Sequence, residues 1–184
     1  MKVLTFITSN KGKLEEARAA LGPLGYEVRQ NNLGYPELQV DTLDEVALFG
    51  MEHVKSRIKG AFILEDSGLF IEPLGGFPGV YSAYALKTLG NPGILELLKN
   101  KKDRKAAFRS CFGYFDPKKG PQLAKGECKG SISTEMRGTG GFGFDPIFIP
   151  EGDSRTYAEI PLDEKNQISH RGRSMKVLVE LLKK

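Results

Sequence analysis

Two adjacent carboxylates, Glu65 and Asp66, close the apolar run Phe62-Ile63-Leu64 and are followed by Ser67-Gly68 and a second apolar run from Leu69. Neighbouring strand residues point to opposite faces, so the two acids cannot share one job. One of them, at a strand end where Gly68 lets the backbone turn, could face a cleft and hold a hard cation. Taken alone, Asp-Ser-Gly reads more simply as a tight turn between two strands. A second chemical group lies near the start, in Thr8-Ser9-Asn10-Lys11-Gly12-Lys13. This segment joins a strand pattern, residues 2–8, to a helical pattern, residues 13–21. The free N–H groups at such a helix start suit a phosphate, and Lys11 and Lys13 add full charges. An ordinary capped turn is the competing account.

The third group is Arg137-Gly138-Thr139-Gly140-Gly141-Phe142-Gly143-Phe144-Asp145-Pro146. Glycine at this density brings backbone close to something and tolerates positive φ. Phe142 could stack on a base, and Asp145 could bond a base edge or a ribose. Near the C-terminus, Lys165, His170 and Arg171 form a cationic, donor-rich cluster. Glu37 lies in an extended stretch after Pro36 and has no capping role. Glu45 does have one, because Thr42-Leu43-Asp44-Glu45 has the spacing of a capping box. Lys55 falls on the polar side of the following helix.

The elements that must position these groups follow from periodicity. Strands are expected at residues 2–8 and 26–28, and on either side of the Asp-Ser-Gly turn. Helices are expected at 13–21, 43–59, from Pro78 through Ala85, and from Asn91. A long antiparallel hairpin is expected from Ala106 to Asp116 and from Leu123 to Ser133, turning at Pro117-Lys118-Lys119-Gly120. Phe144 to Ile149 enters another strand. Residues 161–168 form a short helix, Ser169 to Arg173 a connection, and the rest a final amphipathic helix.

The chain has 184 residues, 40% of them hydrophobic and 27% charged, which suits a single domain over 1–184 or two lobes sharing a sheet. No apolar run approaches a membrane span of roughly 20 residues, and the start does not read as a signal peptide. The two cysteines, Cys111 and Cys128, are too few for a disulfide scaffold, so a cytoplasmic location is expected, without a membrane partner. A net charge of +4 permits an anionic partner without specifying nucleic acid.

Together these motifs resemble the inosine triphosphate pyrophosphatase, or Ham1-like, family. The resemblance rests on Thr8 to Lys13, Glu65-Asp66-Ser67-Gly68-Leu69, Gly140 to Pro146, Glu164-Lys165-Asn166 and Ser169-His170-Arg171. Glu65 stands where many members have Asp, and Phe144 where many have Tyr or Trp. The resemblance implies an α/β fold of three layers, with an elongated, mixed, twisted sheet, two lobes and a central cleft. It implies hydrolysis of ITP, dITP and XTP to the monophosphate and pyrophosphate, with Mg²⁺ as cofactor and a homodimer as the assembly. Asp66 and Lys13 would be catalytic, and Glu37 and Asp66 would hold the metal. Thr8, Ser9, Asn10, Lys11, Gly12, Lys13 and Lys55 would meet the phosphates. Ser67, Phe142, Gly143, Phe144, Asp145, Lys165, Ser169, His170 and Arg171 would surround the rest of the nucleotide, with Phe142 on the purine. Arg171 or Lys165 would donate to the C6 carbonyl that distinguishes these bases from adenine. A Maf-type pyrophosphatase and a non-catalytic nucleotide or RNA binder are the rival readings.

Overall fold

The computed structural model describes residues 2–36 and 38–183. Glu37 therefore lies outside the described residues. The first strand, β1 (Lys2–Ile7), leads into helix α1 (Lys11–Leu21) and returns as β2 (Tyr26–Asn31). These two strands pair in parallel, the arrangement expected when a helix makes the crossover. Helix α2 (Leu43–Val54) follows, then β3 (Phe62–Ile71), which pairs in parallel with β1. Two short helices, α3 (Ser82–Thr88) and α4 (Gly90–Leu97), precede the hairpin strands β4 (Lys105–Asp116) and β5 (Gly120–Ile132). A short β6 (Phe148–Pro150) pairs antiparallel with the end of β5. Helices α5 (Leu162–Ile168) and α6 (His170–Lys183) complete the chain. Among the described residues the strands form one mixed, open sheet in the order β2-β1-β3-β4-β5-β6. None of their helices is long and apolar enough to cross a membrane.

The contacts divide into two compact units. The first comprises residues 1–66, 110–126 and 174–184, and the second residues 67–109 and 127–173. In the first, Leu4, Phe6, Ile63, Phe112 and Tyr114 pack with Leu14 and Ala17 of α1 and with Met175 and Leu178 of α6. Leu64 points the other way, because strand side chains alternate, and meets Gly50 of α2. That unit thus has helices on both faces of its strands. The core of the second unit gathers Leu69, Ile71, Ile94, Phe108, Ile132, Phe148 and Tyr157.

Several boundaries differ from the sequence expectation. The Asp66-Ser67-Gly68 stretch is not a turn, since β3 runs through it unbroken. Gly68 is there for space. A Cβ at this position would stand 2.2 Å from the Gly79 carbonyl oxygen. Leu69 N–H donates to Ser82 Oγ (2.8 Å), which itself donates to the Gly79 carbonyl (2.7 Å). Helix α2 ends at Val54 rather than at residue 59. Helix α6 begins at His170, inside the segment expected to be a connection, because Ser169 Oγ accepts the Gly172 N–H (3.0 Å) and caps it. Phe144 to Ile147 is not strand, as a 3₁₀ turn at Asp145–Ile147 precedes the three-residue β6.

Candidate active site

In the first unit the phosphate-type turn is built as a helix start. Thr8 Oγ1 accepts Asn10 N–H (3.1 Å), and Asn10 Oδ1 accepts Lys13 N–H (3.1 Å), capping α1. The first turn of α1 carries no acid of its own to offset its partial positive charge. Ser9, Asn10 and Lys11 are exposed, and Thr8, Gly12 and Lys13 partly so. Ile7 pairs with Leu64, which sets this turn at the level of Glu65 and Asp66. Binding groups collect at such carboxyl ends of parallel strands.

Glu65 and Asp66 face opposite ways, as alternation requires. Glu65 is buried on the α1/α6 face. Lys13 Nζ lies 2.7 Å from Glu65 Oε2 and donates to the Glu65 carbonyl (3.1 Å). Ser110 Oγ donates to Glu65 Oε1 (2.6 Å) and lies 2.9 Å from Ser174 Oγ. Glu65 is thus the fixed partner of Lys13. Asp66 is only partly buried. Burial, together with the charges of Asp66 and Glu65, pushes the Tyr35 phenol above its ordinary pKa, so Tyr35 stays neutral beside them. Mg²⁺ typically needs only one or two carboxylates, since it retains water and shares substrate phosphates. Asp66, partly exposed and level with the start of α1, is one such carboxylate.

Glu45 has the structural role its spacing suggested. It accepts the Thr42 N–H (3.1 Å), and Thr42 Oγ1 accepts the Glu45 N–H (3.2 Å). Lys55 sits at the exposed end of α2, 2.7 Å from Glu52.

In the second unit the glycine-rich loop is folded around a buried ion pair. Asp145 Oδ2 accepts Lys165 Nζ (2.6 Å) and Phe142 N–H (2.7 Å), and both charged side chains are almost fully buried. Gly141, at φ +68°, makes room for this carboxylate, since a Cβ there would overlap Oδ2. Lys165 Nζ and the Arg171 guanidinium stand 5.1 and 5.3 Å from the Phe142 ring centre. Arg171 also donates to Ser67 Oγ (3.1 Å). The structure therefore gathers Ser67, Phe142, Asp145, Lys165 and Arg171, with Gly143 beside them in sequence.

Other expected contacts hold the framework. Phe144 lies in the core, and Ser169 caps α6. His170 is buried, stacked on Phe108 at 4.6 Å with planes 10° apart. Asn91, not singled out from sequence, donates from Nδ2 to the Gly143 carbonyl (3.0 Å) and ties α4 to the loop. Ser110 and Ser174 were also missed. The one available signal was a hydroxyl within the otherwise apolar face Phe108, Ser110, Phe112, Tyr114.

The Ham1 family profile matches residues 4–181. The chain belongs to the Ham1 family. A dITP/XTP pyrophosphatase of Thermococcus kodakarensis is 55% identical to it over 98% of this chain and 97% of its own length. A dITP/XTP pyrophosphatase of Methanothermobacter marburgensis is 52% identical over 96% and 93%. Among solved structures, the Staphylococcus aureus Ham1 protein superposes with a TM-score of 0.87 at 30% identity, covering 99% of this chain and 98% of that one. A Ham1 protein from Coxiella burnetii gives the same TM-score.

Proposed function

We propose that residues 1–184 form one pyrophosphatase domain. It hydrolyses non-canonical purine nucleoside triphosphates, dITP, ITP and XTP, to the monophosphate and pyrophosphate, and so clears them from the nucleotide pool. The observation carrying this reading is the capped, acid-free start of α1 set level with Glu65 and Asp66, in a chain 55% identical to a dITP/XTP pyrophosphatase. In this reading Thr8 to Lys13 receive the phosphates, and Lys13, which donates to the Glu65 carbonyl and is ion-paired with Glu65 Oε2, turns the other side of its ammonium to them. Asp66 takes the proton of the water that attacks the α-phosphorus, as the bond to the β-phosphate oxygen breaks. Asp66 and Glu37 would hold Mg²⁺, and the ion would supply neutralisation of phosphate charge. Lys55 would add a further cation for the phosphates on leaving Glu52.

Phe142 stacks on the purine, flanked by Ser67 and Gly143 while Phe144 anchors the loop in the core, and Lys165 or Arg171 donates to the carbonyl at C6. Adenine presents an amino group there, which cannot accept from that donor. Asp145, Ser169 and His170 keep this side in shape. The enzyme works in the cytoplasm as a homodimer, with no nucleic-acid or membrane partner. Exposed Phe77, Tyr81, Tyr84 and Leu89, all within 13 residues of sequence, support a self-association surface.

The test is pyrophosphate release from ITP, dITP, XTP, dTTP, ATP and GTP in Mg²⁺. Release from the first three supports the reading. Preference for dTTP would favour a Maf-type enzyme, and silence on every substrate a non-catalytic binder.

A further inference from the structure

Four elements of the first unit each send one side chain to a single polar chain, linked by an ion pair and by hydrogen bonds. These are Lys13 from α1, Glu65 from β3, Ser110 from β4 and Ser174 from α6. The layer around them is apolar, made of Ile63, Phe112, Met175 and Leu178. Ser110 is 2% exposed and Ser174 fully enclosed. Polar groups buried at this depth are costly unless bonded, so an apolar layer gains nothing from them unless they hold something in place.

Chemistry fixes the direction of the bonds. An ionised carboxylate only accepts, so the Ser110 hydroxyl proton points at Glu65 Oε1. Ser110 Oγ then accepts from the Ser174 hydroxyl across the 2.9 Å contact. The last torsion of a glutamate is broad, and the Ser110 bond narrows it. With Oε1 held, Oε2 is held, and the Lys13 ammonium is fixed by Oε2 and the Glu65 carbonyl together. The side of the Lys13 ammonium turned away from Glu65 thereby acquires one direction.

We propose that Ser110 and Ser174 are positioning residues that aim Lys13, through Glu65, at the triphosphate. This rests on the reading that Lys13 binds the phosphates. The experiment is a double-mutant cycle with Ser110→Ala and Lys13→Met. Binding of α,β-methylene-dITP at fixed Mg²⁺ is measured by titration calorimetry, with kcat and KM for dITP beside it. Ser110→Ala should weaken binding and lower kcat/KM by about 10-fold, the lower end of what supporting partners are worth. That loss should vanish in the Lys13→Met background, because the aimed group is gone. Ser110→Thr, which keeps the hydroxyl, should restore most of the affinity.

Should Ser110→Ala not fold, Ser174→Ala enters the same cycle with an expected loss of about 3-fold, the worth of one neutral hydrogen bond. A Ser110 or Ser174 loss that persists undiminished without Lys13 overturns the positioning role and leaves the phosphate reading intact. So does parental binding by the alanine variants. Parental binding by Lys13→Met overturns both.

Discussion

Asp66→Asn keeps the shape of the side chain and removes its ability to take a proton. In the proposed mechanism, turnover should fall by on the order of 100-fold or more while the thermal transition stays in place. Steady-state pyrophosphate release alongside circular dichroism separates the two outcomes, and near-parental turnover in a folded variant would rule out the assignment. Phe142→Ala should instead weaken binding of a non-hydrolysable nucleotide by roughly 1–3 kcal/mol, the worth of one base stack. Burial pushes the Cys111 thiol up to about 12, so at pH 8 it is protonated and inert. Iodoacetamide should label neither buried cysteine in the folded chain and both in denaturant, as counted by intact mass.

At the scale of elements, Gly68→Ala should prevent proper closure of β3 on the Gly79 segment, because the new methyl would overlap a backbone oxygen that has no rotamer to change. Loss of the cooperative thermal transition is the expected result. Acid should loosen a different element, the segment leading into α5. The Arg155 guanidinium, joined by backbone N–H groups, holds the Asp153 carboxyl well below the usual carboxylate range. A depressed folded pKa contributes stability that is fully present above the unfolded value of about 3.9 and is lost as the pH falls from there through the lower folded value. The midpoint of thermal unfolding should therefore fall more between about pH 4 and 2 in the parent than in Arg155→Ala.

Elements were also what the sequence displayed best. The capping box of α2, the crossover unit β1-α1-β2 and the hairpin are local patterns, and periodicity reports local patterns. The continuity of β3 was hidden because Asp-Ser-Gly has turn chemistry, and what overrides it is the Gly79 carbonyl, eleven residues on. The Lys13–Glu65 pair is separated by 52 residues and the Asp145–Lys165 pair by 20, distances at which spacing carries no signal. Family motifs marked Lys13, Asp145 and Lys165 all the same, but not whom they touch. Ser110 and Asn91 belong to no motif quoted from the sequence, so their partners had to be seen.

For the molecule as a whole, removal of divalent metal should abolish pyrophosphate release, and added Mg²⁺ should restore it. A full return of activity in EDTA would remove the metal from the proposal. Light scattering should give twice the chain mass of 20.3 kDa, and Tyr84→Glu, at a side chain 65% exposed, should halve it.

The buried Asp145–Lys165 pair constrains how such a protein can change over time. Replacing either member alone strands the other's charge in the interior, at a cost of roughly 3–5 kcal/mol. Random mutagenesis that alters one codon at a time should find almost no viable substitutions at either position. A library that varies the two as a doublet, with matched apolar residues among its choices, is the one in which altered base preference could surface.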